Sequence, residues 1–156
     1  MNEPGKPLCI LLVDDDPKDA FLVRHALEEN GLSECLSTVG SAEEAVNYLK
    51  GEAGFDDRQH FPFPNVILTD LKMPFMGGFD LLRWVRSQKE FTFVPMIVMS
   101  NSRQEADVQQ AYQLGANAYM VKPTDLHHLA KLLRLTYEYW LNCERACEPT
   151  KLSKAA

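Results

Sequence analysis

Residues 8–17 read LCILLVDDDP, six apolar side chains followed by three aspartates and a proline. A run of six is too short for a buried helix and fits a strand covered on both faces. Asp16 then offers a helix cap, with Pro17 at the first helical position and Asp19 in the first turn. The chain therefore opens with a strand that turns at an acidic edge into a helix.

The same unit recurs outward from this stretch. The first helix continues through Phe21, Leu22, Arg24, His25 and Leu27, and Gly31 ends it. Residues 35–39 predict a second strand. Ser41 with Glu44 three positions on reads as a capping box for a helix that stops at Gly51. Residues 51–65 hold two glycines and two prolines without a period, and predict a long loop. Residues 66–69, 95–100 and 118–121 predict three more strands. Helices are expected over 79–87 and 105–114, and a last one, capped by Asp125 or Thr124, reaches about residue 143. Five strand-then-helix units predict an α/β fold with a parallel sheet between helices. Residues 148–156 are expected to be a flexible tail after a single domain over 1–147.

Composition narrows the function classes. The chain has 156 residues, 46% hydrophobic and 24% charged, which suits a globular domain. A formal charge of −6 argues against nucleic acid as a direct partner. No apolar run approaches the roughly 20 residues of a membrane span, and the first residues carry no secretory pattern. Cys9, Cys35, Cys143 and Cys147 match no zinc spacing and read as reduced thiols of a cytoplasmic protein. His25, His60, His127 and His128 form no ligand set.

In parallel sheets of this kind, ligands sit beyond the carboxyl ends of the strands. The predicted strand ends deliver Asp14, Asp15 and Asp16, then Asp70, then Ser100 and Asn101, then Lys122 and Pro123. Clustered carboxylates repel, and a hard divalent cation relieves that repulsion. Mg²⁺ prefers oxygen ligands and keeps room for a phosphate oxygen. The pattern suggests a carboxylate–Mg²⁺–phosphoryl site flanked by a lysine and a hydroxyl.

Four segments, ILLVDDDPKDA (10–20), VILTDLKMPFMGG (66–78), PMIVMSNS (95–102) and GANAYMVKP (115–123), resemble the conserved blocks of response-regulator receiver domains. The resemblance spans about residues 8–143. It implies a flavodoxin-like five-stranded parallel sheet in the order 2-1-3-4-5 with five helices, the last one extended. It implies Asp70 as phosphoacceptor from a histidine kinase. Asp14, Asp15, Asp70 and the backbone carbonyl of Lys72 would bind Mg²⁺. Lys122 and Ser100 would contact the phosphoryl group, and Tyr119 would be the switch aromatic. It also implies a cis Lys122–Pro123 peptide, hydrolysis tuned by the side chains of Lys72 and Ser102, and no activity beyond the domain's own phosphorylation and dephosphorylation.

Neighbouring families fit less well. Haloacid-dehalogenase-like phosphatases carry a second aspartate two residues after the nucleophile, where this chain has Lys72. Flavodoxins cradle a phosphate in the loop after strand 1, where three aspartates would repel it. The 51–65 loop and the TYEYWL run (136–141) resemble the small regulators paired with cyanobacterial phytochromes, which implies a phytochrome-type kinase as donor. About 13 residues follow the last helix, so output is expected through protein contacts. That helix carries a core stripe, Leu126, Leu129, Leu133, Tyr137, Trp140 and Leu141. A second stripe, Leu132, Leu135 and Tyr139, is expected to form a homodimer or partner surface with the fourth helix and fifth strand.

Overall fold

The computed structural model describes residues 5–146, 148 and 149. Five strands, β1 (Ile10–Val13), β2 (Leu36–Val39), β3 (Val66–Thr69), β4 (Met96–Ser100) and β5 (Ala118–Val121), pair in parallel in the order β2-β1-β3-β4-β5. Helices α1 (Pro17–Glu29), α2 (Ala42–Lys50), α3 (Gly78–Ser87) and α4 (Glu105–Gln113) connect them, and α5 (Leu126–Leu141) follows β5. This is the expected flavodoxin-like fold. Most of the residue 148–156 segment, from 150 on, lies outside the described residues.

Alternation along each strand feeds two cores. Leu11, Val13, Ile67, Met96 and Val98 pack with Ala45, Leu49, Leu81 and Val85 of α2 and α3. Ile10, Leu12, Val66, Leu68, Ile97 and Met99 pack with Val23 and Leu27 of α1 and Leu129 and Leu133 of α5. Both faces are covered, which is why β1, β3 and β4 read as continuous apolar runs.

Local chemistry fixes the helix ends. Asp16 accepts from the Lys18 N–H, Ser41 from Glu44, and Asp125, not Thr124, from His127. Gly51 takes a left-handed φ of 69° that releases the chain from α2. The 51–65 loop is built around α2. Arg58 donates to the carbonyls of Tyr48 and Leu49 at the helix end, and the Phe55 and Phe61 rings pack tilted and edge-on against Tyr48.

Three expectations need correction. Cys9 and Cys35 are joined in a disulfide rather than held as separate thiols. The pairing of Ile10 with Leu36 brings the residues just before them together, and 26 positions of sequence hide that adjacency. The Lys122–Pro123 peptide is trans, like every peptide bond among the described residues. The Lys122 N–H donates to the Ser100 carbonyl, so the strand ladder directs the side chain by itself. On α5, Leu141 is exposed at the helix end, while Thr136 takes the buried position between Leu133 and Tyr137 and donates to the Leu132 carbonyl. Among the described residues, no helix is long and apolar enough to cross a membrane.

Candidate functional site

The ladder brings the ends of β1, β3, β4 and β5 to one edge of the sheet. Val13 lies opposite Thr69, so Asp14 and Asp70 leave adjacent strands at the same level. Ser100 lies opposite Val121, which sets Lys122 one residue beyond β4. Residues up to 108 positions apart thus share one pocket.

Lys122 is its hub. Its Nζ donates to Asp14 Oδ2 at 3.0 Å, to Asp19 Oδ2 at 2.9 Å and to Asp70 Oδ2 at 2.9 Å. The Asp14 side chain is 2% exposed, that of Lys122 10% and that of Asp70 13%. Asp14 also accepts from the Asp16 N–H, and Asp70 from the Leu71 N–H at 2.7 Å. Burial pushes the Asp14 carboxyl above its ordinary range, against the opposing pull of the Asp16 N–H and of Lys122. Burial pulls the Lys122 ammonium down, but its bonds to Asp70 and Asp19, with the charges of Asp70 and Asp14, outweigh this and push it well up. Lys122 is therefore a fixed cation.

Asp14, Asp15 and Asp70 each place a carboxylate oxygen within 4.8 Å of the others. Four carboxylates, counting Asp19, gather around the Lys122 ammonium, so acids outnumber the one cation at their centre. Hard oxygen donors in such excess suit a divalent cation of the Mg²⁺ or Mn²⁺ kind. The site opens into a basin of about 560 Å³ lined by Asp15, Asp19, Asp70, Lys72, Ser100 and Arg103 among others. Its walls are mostly polar.

Ser100 is buried at the far wall, where its hydroxyl accepts from the Ser102 N–H at 3.2 Å. Ser102 turns its own hydroxyl to Asp107 of α4 at 2.5 Å. The Tyr119 hydroxyl donates to the Ser102 carbonyl at 2.9 Å. Tyr119 is thereby tied to the loop that follows Ser100, although its ring stands half-buried in β5.

The structure brings Asp14, Asp15, Asp70, Ser100 and Lys122 together, and Lys72 lines the same basin. Leu132, Leu135 and Tyr139 lie away from it on α5, the last two 50% and 64% exposed. Sequence reasoning placed Asp19 only in a helical first turn and missed its bond to Lys122. The available signal was that α1 starts at this edge, so its first turn overhangs the pocket.

Known proteins share this sequence pattern and fold. The response regulator receiver domain family matches residues 10–134. Response regulator Rcp1 of Synechocystis sp. is 29% identical over 140 residues, covering 90% of this chain and 93% of Rcp1. The probable methanogenesis regulatory protein FilR2 of Methanothrix harundinacea is 27% identical over 147 residues, covering 94% of this chain and 92% of FilR2. Among solved structures, the phosphorylated cyanobacterial phytochrome response regulator RcpA superposes with a TM-score of 0.81 at 28% identity, covering 91% of this chain and all of RcpA. The Mn²⁺-bound form of Rcp1 superposes with a TM-score of 0.78 at 27% identity, covering 90% of this chain and all of that one.

Proposed function

The chain belongs to the response regulator receiver domain family, and on that premise we propose that Asp70 accepts a phosphoryl group from a histidine kinase in a Mg²⁺-dependent reaction. The convergence of Lys122 Nζ on Asp14 and Asp70 carries this reading. An Asp70 carboxylate oxygen forms a bond to phosphorus as the bond from phosphorus to the donor imidazole nitrogen breaks and its electron pair returns to the imidazole. Asp14, Asp15 and Asp70, with the Lys72 carbonyl, would hold the cation, which would neutralise the oxygens in flight. Lys122 pairs with a phosphoryl oxygen. Ser100 donates its hydroxyl to another, a proton that the Ser102 N–H leaves available. That bond would draw the loop after Ser100 inward, and the Ser102 carbonyl carries the movement to Tyr119, which acts as the switch. The chemistry is confined to the domain's own phosphorylation and dephosphorylation.

The donor in this reading is a phytochrome-type kinase. RcpA is by its title a cyanobacterial phytochrome response regulator, and the 51–65 loop and the aromatic end of α5 support the parallel. A cytoplasmic setting goes with it, where the glutathione pool would work against the Cys9–Cys35 bond. The signal leaves by protein contacts and not through nucleic acid. Leu135 and Tyr139, exposed beside the half-buried Leu132, supply the apolar surface for a homodimer through α5.

Acetyl phosphate supplies the group without a kinase. Incubation with Mg²⁺ is expected to add one phosphoryl group per chain by intact mass, and Asp70→Asn or chelation of the metal is expected to abolish the addition. A wild-type chain that stays unmodified, or an Asp70→Asn chain that is modified equally well, contradicts the assignment.

A further inference from the structure

Lys122 directs all three of its ammonium protons to carboxylates, Asp14 at 3.0 Å, Asp19 at 2.9 Å and Asp70 at 2.9 Å. The three partners have different fates in the proposed reaction. Asp14 and Asp70 belong to the trio whose oxygens lie close enough to share a cation, and Asp70 would also carry the phosphoryl group. In that reaction the cation and the phosphoryl group would compete with Lys122 for both carboxylates. Asp19 stands outside that trio, on the first turn of α1, with its side chain 29% exposed. In this reading it is the one partner that takes neither the metal nor the phosphoryl group. A lysine stem has four rotatable bonds, and an ammonium cut loose from two carboxylates would sweep a wide cone.

We infer that Asp19 is a positioning residue for Lys122, holding the ammonium over the basin while Asp14 and Asp70 pass to the cation and the phosphoryl group. One proton stays anchored on Asp19 and the others face the arriving oxygens. The opposing effect is repulsion, since Asp19 also adds a negative charge near an incoming anion. The geometry favours positioning, because the bond is short and made to the very atom that must be aimed. This inference rests on the reading of Asp70 as acceptor.

The test is the single-turnover rate of phosphorylation by acetyl phosphate and Mg²⁺, followed by intact mass in wild type, Asp19→Ala, Asp19→Asn, Lys122→Ala and the double variant Asp19→Ala with Lys122→Ala. Asp19→Ala is expected to slow phosphorylation about tenfold. Asp19→Asn is expected to fall between it and wild type, because the amide oxygen still accepts from the ammonium. Added to Lys122→Ala, Asp19→Ala is expected to change nothing further, since it acts through Lys122. Mg²⁺ affinity by calorimetry is expected to stay within about threefold of wild type, as Asp19 adds charge but no ligand.

An Asp19→Ala rate equal to or above wild type overturns the inference. So does a loss that persists in the Lys122→Ala background, or one that tracks an equal loss of Mg²⁺ affinity. Should Asp19→Ala fail to fold by circular dichroism, Asp19→Asn decides: a slower rate supports positioning, and an equal or faster rate overturns it. A wild-type chain that takes up no phosphoryl group would instead refute the acceptor reading itself.

Discussion

Gly78→Ala is expected to destabilise the domain by about 3 kcal/mol or more and to displace the acceptor carboxylate in whatever fraction still folds. A Cβ at position 78 would lie 2.1 Å from the Asp70 carbonyl oxygen, 2.9 Å from Leu71 Cα and 3.0 Å from the Asp70 carbonyl carbon. All three are backbone atoms, so no rotamer change relieves the clash. Alanine would gain about 1 kcal/mol in helix propensity over glycine, and that gain is outweighed. The first residue of α3 is thus pressed against the peptide that aims Asp70, and its N–H holds the Leu71 carbonyl at 2.9 Å. Urea unfolding checks the size of the effect. Gly40→Ala, whose Cβ would meet nothing within 4 Å, is expected to stay near wild type. A Gly78→Ala midpoint equal to that of wild type would show that this packing does not constrain Asp70.

Lys122→Met is expected to cost about 3 kcal/mol at neutral pH without metal, because it leaves the buried Asp14 facing Asp70 and Asp19 without a cation. The pH dependence follows from the two shifts. Lys122 is held above its usual 10.5 in the folded chain, so its contribution is fully present below that value and fades only as pH rises through the higher folded value. Asp14 is pushed up by burial, and Lys122 is one of the groups that hold it down. Without Lys122 the folded Asp14 binds a proton more readily still. Protonation then stabilises the variant, so its deficit is expected to shrink as pH falls from about 8 to about 5. Saturating Mg²⁺ is expected to narrow the deficit too, because the cation supplies the missing positive charge. Thermal melts across pH, with and without Mg²⁺, measure both trends. A deficit that ignores pH and metal would mean that the lysine is held for packing alone.

What could be read from the sequence follows a physical division. Strands β1, β3 and β4 were legible because each is buried on both faces and therefore written as an unbroken apolar run. The acids and the lysine followed, since a residue just past a strand must stand at the sheet edge. Ser41 and Asp125 were legible as caps because capping is local chemistry. What depends on the register between strands or on the rotation of a helix was not. Cys9 meets Cys35 only once β1 and β2 are aligned. Asp19 reaches Lys122 only once α1 is packed beside α5 at this edge of the sheet. The buried stripe of α5 takes Thr136 and leaves Leu141 exposed, which only the rotation of the docked helix decides. The order in the 51–65 loop rests on Arg58 reaching the carbonyls that α2 leaves open, a contact between elements that no composition rule anticipates.

Borohydride reduces an acyl phosphate to an alcohol and so marks the residue that carried it. Applied to the chain after treatment with acetyl phosphate and Mg²⁺, followed by peptide mapping, it is expected to convert Asp70 and no other aspartate. A mark on Asp14, Asp15 or Asp19, or a phosphoryl group that proves to sit on a histidine, would contradict the site as assigned.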